Sequence, residues 1–179
     1  MLLALDLGTK AGWARWEPGL PKPIAGTEIV DDKDFGRRAR DWRAFLIRKI
    51  EHFSVEKVAC EQFLTGMSGK KSNYSAEVWT PAMHVITREV CVTCNVEFHY
   101  IPMQTWRKHF LGRGQAPRGT RNSRIWFKEQ AKQRCKLLGW SAKDDNAAEA
   151  LGILDYFRAV NRPAYAAQTT DLFSAGAEK

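Results

Sequence analysis

Leu2-Leu3-Ala4-Leu5-Asp6-Leu7-Gly8-Thr9-Lys10-Ala11-Gly12-Trp13-Ala14 is the stretch on which the reading of the whole chain turns. Leu2, Leu3, Ala4, Leu5 and Leu7 form a nearly unbroken apolar run, the pattern of a strand covered on both faces. Gly8 and Gly12 give the backbone freedom for a tight turn, and a second strand begins at Gly12-Trp13-Ala14-Arg15-Trp16. One carboxylate, Asp6, interrupts the apolar run. A charge there is costly unless something answers it, so Asp6 has either a structural hydrogen bond or a cation to bind.

Outward from that hairpin, the pattern alternates between strands and helices. Pro23–Val30 is expected as a third strand, with Asp31, Asp32 and Asp34 then opening a helix whose inner face is Trp42, Phe45, Leu46, Ile50 and Phe53. Its basic residues, Arg37, Arg38, Arg40, Arg43 and Arg48, read as a solvated face. Val55–Phe63 is expected as a strand that delivers Glu61 near its end, followed by a mobile Gly/Ser/Lys loop over 64–75. A helix with Trp79, Met83, Ile86 and Val90 inward should carry Pro81 in its first turn, where a missing N–H costs little. Then come a short strand over Val96–Ile101, a short helix over Met103–Leu111 and a basic loop. The next helix should be capped by Asn122 or Ser123, with Phe127, Ala131, Cys135 and Leu138 inward, and a last one should run from Ser141–Asp145 to about Val160. This order predicts an α/β domain over residues 1–162, a mixed sheet with helices on both faces, and a loosely ordered tail over 163–179.

The chain has 179 residues, the size of one domain, and a formal charge of +8. That charge is regional: Ile101–Trp140 holds ten Lys or Arg against the single acid Glu129, a local +9 that leaves about −1 for the rest. A regional excess of this size points to a polyanionic partner, with nucleic acid the leading expectation. No apolar run approaches the roughly 18–20 residues of a membrane span, and Asp6 comes too early for a signal peptide, so a cytoplasmic setting is expected. Cys91-Val92-Thr93-Cys94 has no second pair at zinc-site spacing, and His52, His84, His99 and His109 form no ligand or triad pattern.

The acids are more informative. In Lys143-Asp144-Asp145-Asn146-Ala147-Ala148-Glu149-Ala150, Asp145 and Glu149 lie one helical turn apart and share a face. Like charges at that spacing oppose helix formation, while the surrounding alanines allow close packing on a sheet. Taken singly, Asp144 and Asp145 read as helix caps, Asp6 as a turn stabiliser and Glu61 as the partner of a lysine. Taken together, Asp6, Glu61, Asp145 and Glu149 would form a carboxylate cluster that only a divalent cation makes tolerable. Mg²⁺ suits such oxygen donors, and two ions roughly 3.5–4 Å apart would serve phosphodiester hydrolysis.

The opening Leu-Ala-Leu-Asp-Leu-Gly-Thr-Lys-Ala-Gly-Trp-Ala, the Ala-Cys-Glu-Gln-Phe strand and the Asp-Asp-Asn-Ala-Ala-Glu-Ala-Leu helix together resemble the ribonuclease H-like superfamily. Within it they resemble the RuvC-type Holliday-junction resolvases, especially phage-like members. The resemblance spans about residues 1–160 and implies a ribonuclease H-like sheet with an antiparallel three-strand start followed by parallel strands. It implies Mg²⁺ or Mn²⁺, two ions per site, held by Asp6, Glu61, Asp145 and Glu149. The family's last-helix Asp-x-x-Asp aligns Asn146 with its first acid, so Asp145 would substitute, with Asp144 and Asn146 as alternatives, and Glu149 replaces the second Asp. Lys10, Phe63, Lys70, Lys71, Arg107, Lys108, Arg113, Arg118 and Arg121 become the expected DNA-facing residues, Phe63 as the aromatic wedge or as core. The implied activity is a structure-selective endonuclease on branched DNA, acting as a homodimer in a bacterial or phage-infected cell. A less selective flap or fork nuclease, a pre-ribosomal-RNA processing nuclease and a non-catalytic nucleic-acid-binding module are the alternatives.

Overall fold

The computed structural model describes residues 1–63 and 74–162, with backbone alone for 74–77. The elements run β1 (Leu2–Asp6), β2 (Ala11–Trp16), β3 (Ile24–Glu28), α1 (Phe35–Phe53), β4 (Lys57–Glu61), α2 (Tyr74–Thr93), β5 (Glu97–Ile101), α3 (Met103–Leu111), α4 (Ser123–Leu137) and α5 (Asp145–Asn161). Five strands form one sheet in the order β3-β2-β1-β4-β5. β1, β2 and β3 are joined antiparallel, whereas β4 lies parallel to β1 and β5 parallel to β4. The apolar opening run therefore forms the middle strand, buried on both sides as its composition requires.

Strand alternation divides the interior into two cores. Leu2 and Ala4 of β1, with Ala14, Trp16 and Ala59, face α5 and the helices behind it, meeting Ala148, Leu151, Ile153, Leu154, Trp106 and Phe110. Leu3 and Leu5, with Val58 and Cys60, face the other way onto Trp42, Phe45, Leu46 and Ile50 of α1 and Trp79, Met83 and Val90 of α2. The buried polar atoms of this second core are satisfied: Trp42 Nε1 donates to Thr87 Oγ1 at 3.1 Å, and Thr87 donates on to the Met83 carbonyl at 2.7 Å.

Two local expectations need correction. Pro81 lies inside α2 rather than in its first turn. The missing N–H and the ring's clash there are carried by a helix whose Trp79, Met83 and Val90 are buried in the core. Arg38 is not on a solvated face: it is buried, its Nε donates to the Val30 carbonyl at 3.2 Å, and its guanidinium lies 4.3 Å from the Trp79 ring centre. Of the three acids before α1, Asp34 is the cap, accepting from Arg37 N at 2.8 Å, while Asp32 braces the turn by accepting from Asp34 N. Asn122 caps α4 by accepting from Ile125 N at 3.2 Å. The expected mobile loop over 64–75 lies outside the described residues up to Asn73, as do Lys70, Lys71 and the tail over 163–179. Among the described residues, no helix is long and apolar enough to cross a membrane.

Candidate active site

The parallel register builds the first half of the site. Leu5 of β1 pairs with Cys60 of β4, so Asp6 and Glu61 follow side by side at the C-terminal ends of neighbouring strands. Both continue the alternation of Ala4 and Ala59 and so belong to the α5 side of the sheet.

The second half is brought in by α5, whose first turn rests directly against β2. Gly12 permits this: a methyl group on its Cα would run into the Asn146 carbonyl. Asp144 fixes the helix start. Its Oδ1 accepts from Ala147 N at 2.9 Å and from Thr27 Oγ1 of β3 at 2.6 Å, tying the helix to the far strand of the antiparallel unit. Oδ1 of Asp144 is thus committed as cap and brace. Farther along α5, Gly152 lets α3 approach, since an added methyl would sit 2.8 Å from the Trp106 and Phe110 rings. Trp106 is thereby held so that its Nε1 donates to Glu61 Oε2 at 2.7 Å.

Asp6, Glu61, Asp145 and Glu149 consequently line one open cavity of about 640 Å³, together with Lys10, Met103, Arg107, Ser123, Arg124, Lys128 and Asn146. Asn146 is thus part of the cavity lining. Burial pushes the Asp6 carboxyl well above the usual carboxylate range, with Glu149 and Glu61 adding repulsion while Lys128 and Arg107 pull it back. Glu61 is raised by burial against the opposing Trp106 hydrogen bond and Arg107 charge. Glu149, also raised by burial, has Arg107 Nη2 at 3.5 Å and Lys128 Nζ at 3.8 Å. Asp145 is lowered, because Lys128 Nζ donates directly to its Oδ2.

Among the described residues, no three His, Cys, Asp or Glu side chains are drawn together as a ready metal-ligand set. The helix acids turn instead to Lys128 and Arg107. The donor chemistry nevertheless fits a hard divalent cation: the candidates are all carboxylate oxygens, three of the four acids are raised chiefly by burial, and an ammonium already bridges Asp145 and Glu149.

The expected DNA-facing residues divide. Lys10, Lys108, Arg113, Arg118 and Arg121 are exposed. Arg107 is not an outer contact: its side chain is 11% exposed, beside Glu149 and 4.2 Å from the Phe127 ring centre. Phe63 is 38% exposed, its ring 5.4 Å from that of His84, and it lines a smaller cavity of about 260 Å³ that also reaches Asp6 and Glu61. Burial pushes His84 down to about 4, which leaves it a neutral wall. Sequence reasoning missed Lys128, Trp106, Arg124 and Thr27 as parts of the site. Lys128 lies one residue beyond the inward Phe127 of α4, but that position alone does not separate it from the other basic residues of the helix.

This arrangement, acids at the ends of adjacent parallel strands facing the start of a helix across a mixed sheet, is a ribonuclease H-like fold of the RuvC type. Among solved structures, the chain is similar to RuvC of Thermus thermophilus, with 16% identity over 85% of this chain and 89% of that one and a TM-score of 0.60. The same protein in complex with a Holliday junction substrate gives 14% identity, 90% and 96% coverage, and a TM-score of 0.63. The yeast mitochondrial Holliday junction resolvase Ydc2 gives 12% identity, 94% and 85% coverage, and a TM-score of 0.48. No protein-family model and no curated protein sequence matches the chain.

Proposed function

We propose that this chain is a divalent-metal-dependent endonuclease that hydrolyses phosphodiester bonds in branched DNA, with four-way junctions its preferred substrate. The observation that carries this reading is the convergence of Asp6, Glu61, Asp145 and Glu149 on one cavity walled by Lys10, Arg107, Arg124 and Lys128. The likeness to RuvC, one of whose structures holds a Holliday junction, supports the choice of substrate.

Asp6 and Glu61 from the strands, and Asp145 and Glu149 from α5, would hold Mg²⁺ or Mn²⁺, two ions per site. Bound there, such ions supply Lewis acidity and a water deprotonated near neutral pH. Lys10 and Arg124 offer positive charge at the cavity for the non-bridging oxygens of a phosphate. Trp106 keeps Glu61 aimed into the cavity. The exposed Lys108, Arg113, Arg118 and Arg121 supply sequence-independent attraction for the duplex arms.

A pair of nicks across a junction needs two sites, and we propose a homodimer. Val78, Val85 and Val92 of α2 repeat every seven residues and are 38%, 70% and 77% exposed, an apolar stripe on the helix surface that a second copy would cover. Sedimentation should show a dimer that Val85→Asp dissociates.

The decisive test is nicking of a synthetic four-way junction, a flap and a linear duplex in Mg²⁺, Mn²⁺ or EDTA. Cleavage of the junction first, loss of it in EDTA, and loss of cleavage with retained binding in Asp6→Asn are the expected results. Binding without cleavage in either metal would identify a non-catalytic module instead.

A further inference from the structure

Lys128 stands out because its position is the opposite of what a helix lysine ordinarily adopts. Lys132, one turn later on α4, reaches outward to Glu129 with its side chain 41% exposed. Lys128 turns inward, its side chain 19% exposed, and its ammonium lies against Asp145 Oδ2 and 3.8 Å from Glu149 Oε2. One monovalent ammonium thus bridges the two helix acids from inside the cavity. The strand acids are held differently: Glu61 takes a neutral indole N–H, and Asp6 feels Lys128 and Arg107 only as neighbouring charges.

We propose that Lys128 is a built-in competitor for metal at the α5 side of the site: its ammonium occupies the cation position between Asp145 and Glu149 and must leave before a divalent ion binds there. The inference rests on the metal-dependent reading above and adds to it that the two halves of the site load unequally. Whatever stabilises the metal-free arrangement weakens metal binding by the same factor, because binding must first undo it. The strand half carries no such tax. Divalent metal therefore binds in two steps, the weaker one opposed by Lys128.

Calorimetric titration of the full chain with Mn²⁺, without DNA, tests this. Lys128→Met keeps length and packing but removes the ammonium, and it should tighten the weaker of two binding steps by about tenfold or more, the scale of a charge-assisted hydrogen bond. Lys128→Arg, which keeps the charge, should not tighten it. In the unmodified protein, the Lys128 ammonium should give a protected nitrogen resonance in the metal-free state that is lost to solvent exchange at Mg²⁺ saturation. That second measurement holds even if Lys128→Met fails to fold. Mn²⁺ binding that is measurable but equal in the unmodified protein and Lys128→Met, or a Lys128 resonance unchanged at saturation, overturns the competition and leaves the metal site standing. No Mn²⁺ binding by either protein removes the metal-dependent reading itself, and this inference with it.

Discussion

Two pairs of acids meet in this cavity, and they are held by opposite means. Asp6 and Glu61 sit on adjacent strands whose backbones are fixed by the ladder, and their proximity follows from the β1–β4 register alone. Asp145 and Glu149 sit on a helix that must be carried to the sheet, and a glycine, a cap and two cations are needed to keep it there. Burial raises the proton affinity of the strand pair, while Asp145 is neutralised by Lys128. A site built this way has one half fixed in advance and one half held ready.

The comparison breaks most sharply at Asp6. Asp6→Asn should lower junction cleavage about a thousandfold or more, whereas Asp145→Asn, at a more exposed position, should cost about a hundredfold at most. Equal losses in the two variants, measured as single-turnover rates, would erase the distinction between the halves.

Next in size is Gly12→Ala, which pushes α5 off β2 and so acts first on the helix pair, although Gly12 also lies opposite Asp6 in the ladder. Overpacking at this contact should cost about 1–3 kcal/mol in urea unfolding, with cleavage reduced further than the stability loss explains. Trp106→Phe then probes the strand pair. Losing the indole donor to Glu61 should slow cleavage about tenfold with little change in DNA affinity, read as kcat against KM.

The smallest effect is on the pH dependence of stability. Asp6, Glu61 and Glu149 have folded-state values above their unfolded ones, so between the ordinary carboxylate range and those raised values the folded chain holds more protons. Their contribution to metal-free stability should therefore fall as pH rises through that window. Asp145 runs the other way: its contribution is present above the unfolded value and is lost as pH falls through the lowered folded one. His84, held neutral down to about 4, opposes the raised acids as Asp145 does, so their part is read as a difference. Relative to Asp6→Asn, the unmodified protein in EDTA should lose melting temperature, about 2–4 °C per kcal/mol, as pH rises from mildly acidic to neutral. Mg²⁺ should restore it.

The strand half of the site was legible in the sequence because strand periodicity is short and unambiguous. A carboxylate ending an apolar run in two segments predicts two carboxylates at two strand ends, and the sheet order makes them neighbours. The helix half was legible as a face, since Asp145 and Glu149 are one turn apart, but not in its partners. Nothing in a run of ten basic residues marks Lys128 as the one that turns inward, because that depends on how α4 lies across α5. Arg38 misled for a related reason: on α1 it fell among residues that do face water, and the Trp79 ring and the Val30 carbonyl, both remote in sequence pattern, explain its burial. Asp144 was one of three adjacent candidates; the Ala147 amide makes it the cap, and Thr27, 117 residues away, ties it to β3.

Alternation along β1 has one more consequence. Leu3 and Leu5 hold α1 and α2 on the back of the sheet, while Leu2, Ala4 and Asp6 look to the front. Rebuilding the rear layer away from His84 and Phe63 for greater heat resistance would thus leave the acids on their strands, and redrawing the front for another substrate would leave the rear foundation whole. The molecule can be remodelled one side at a time.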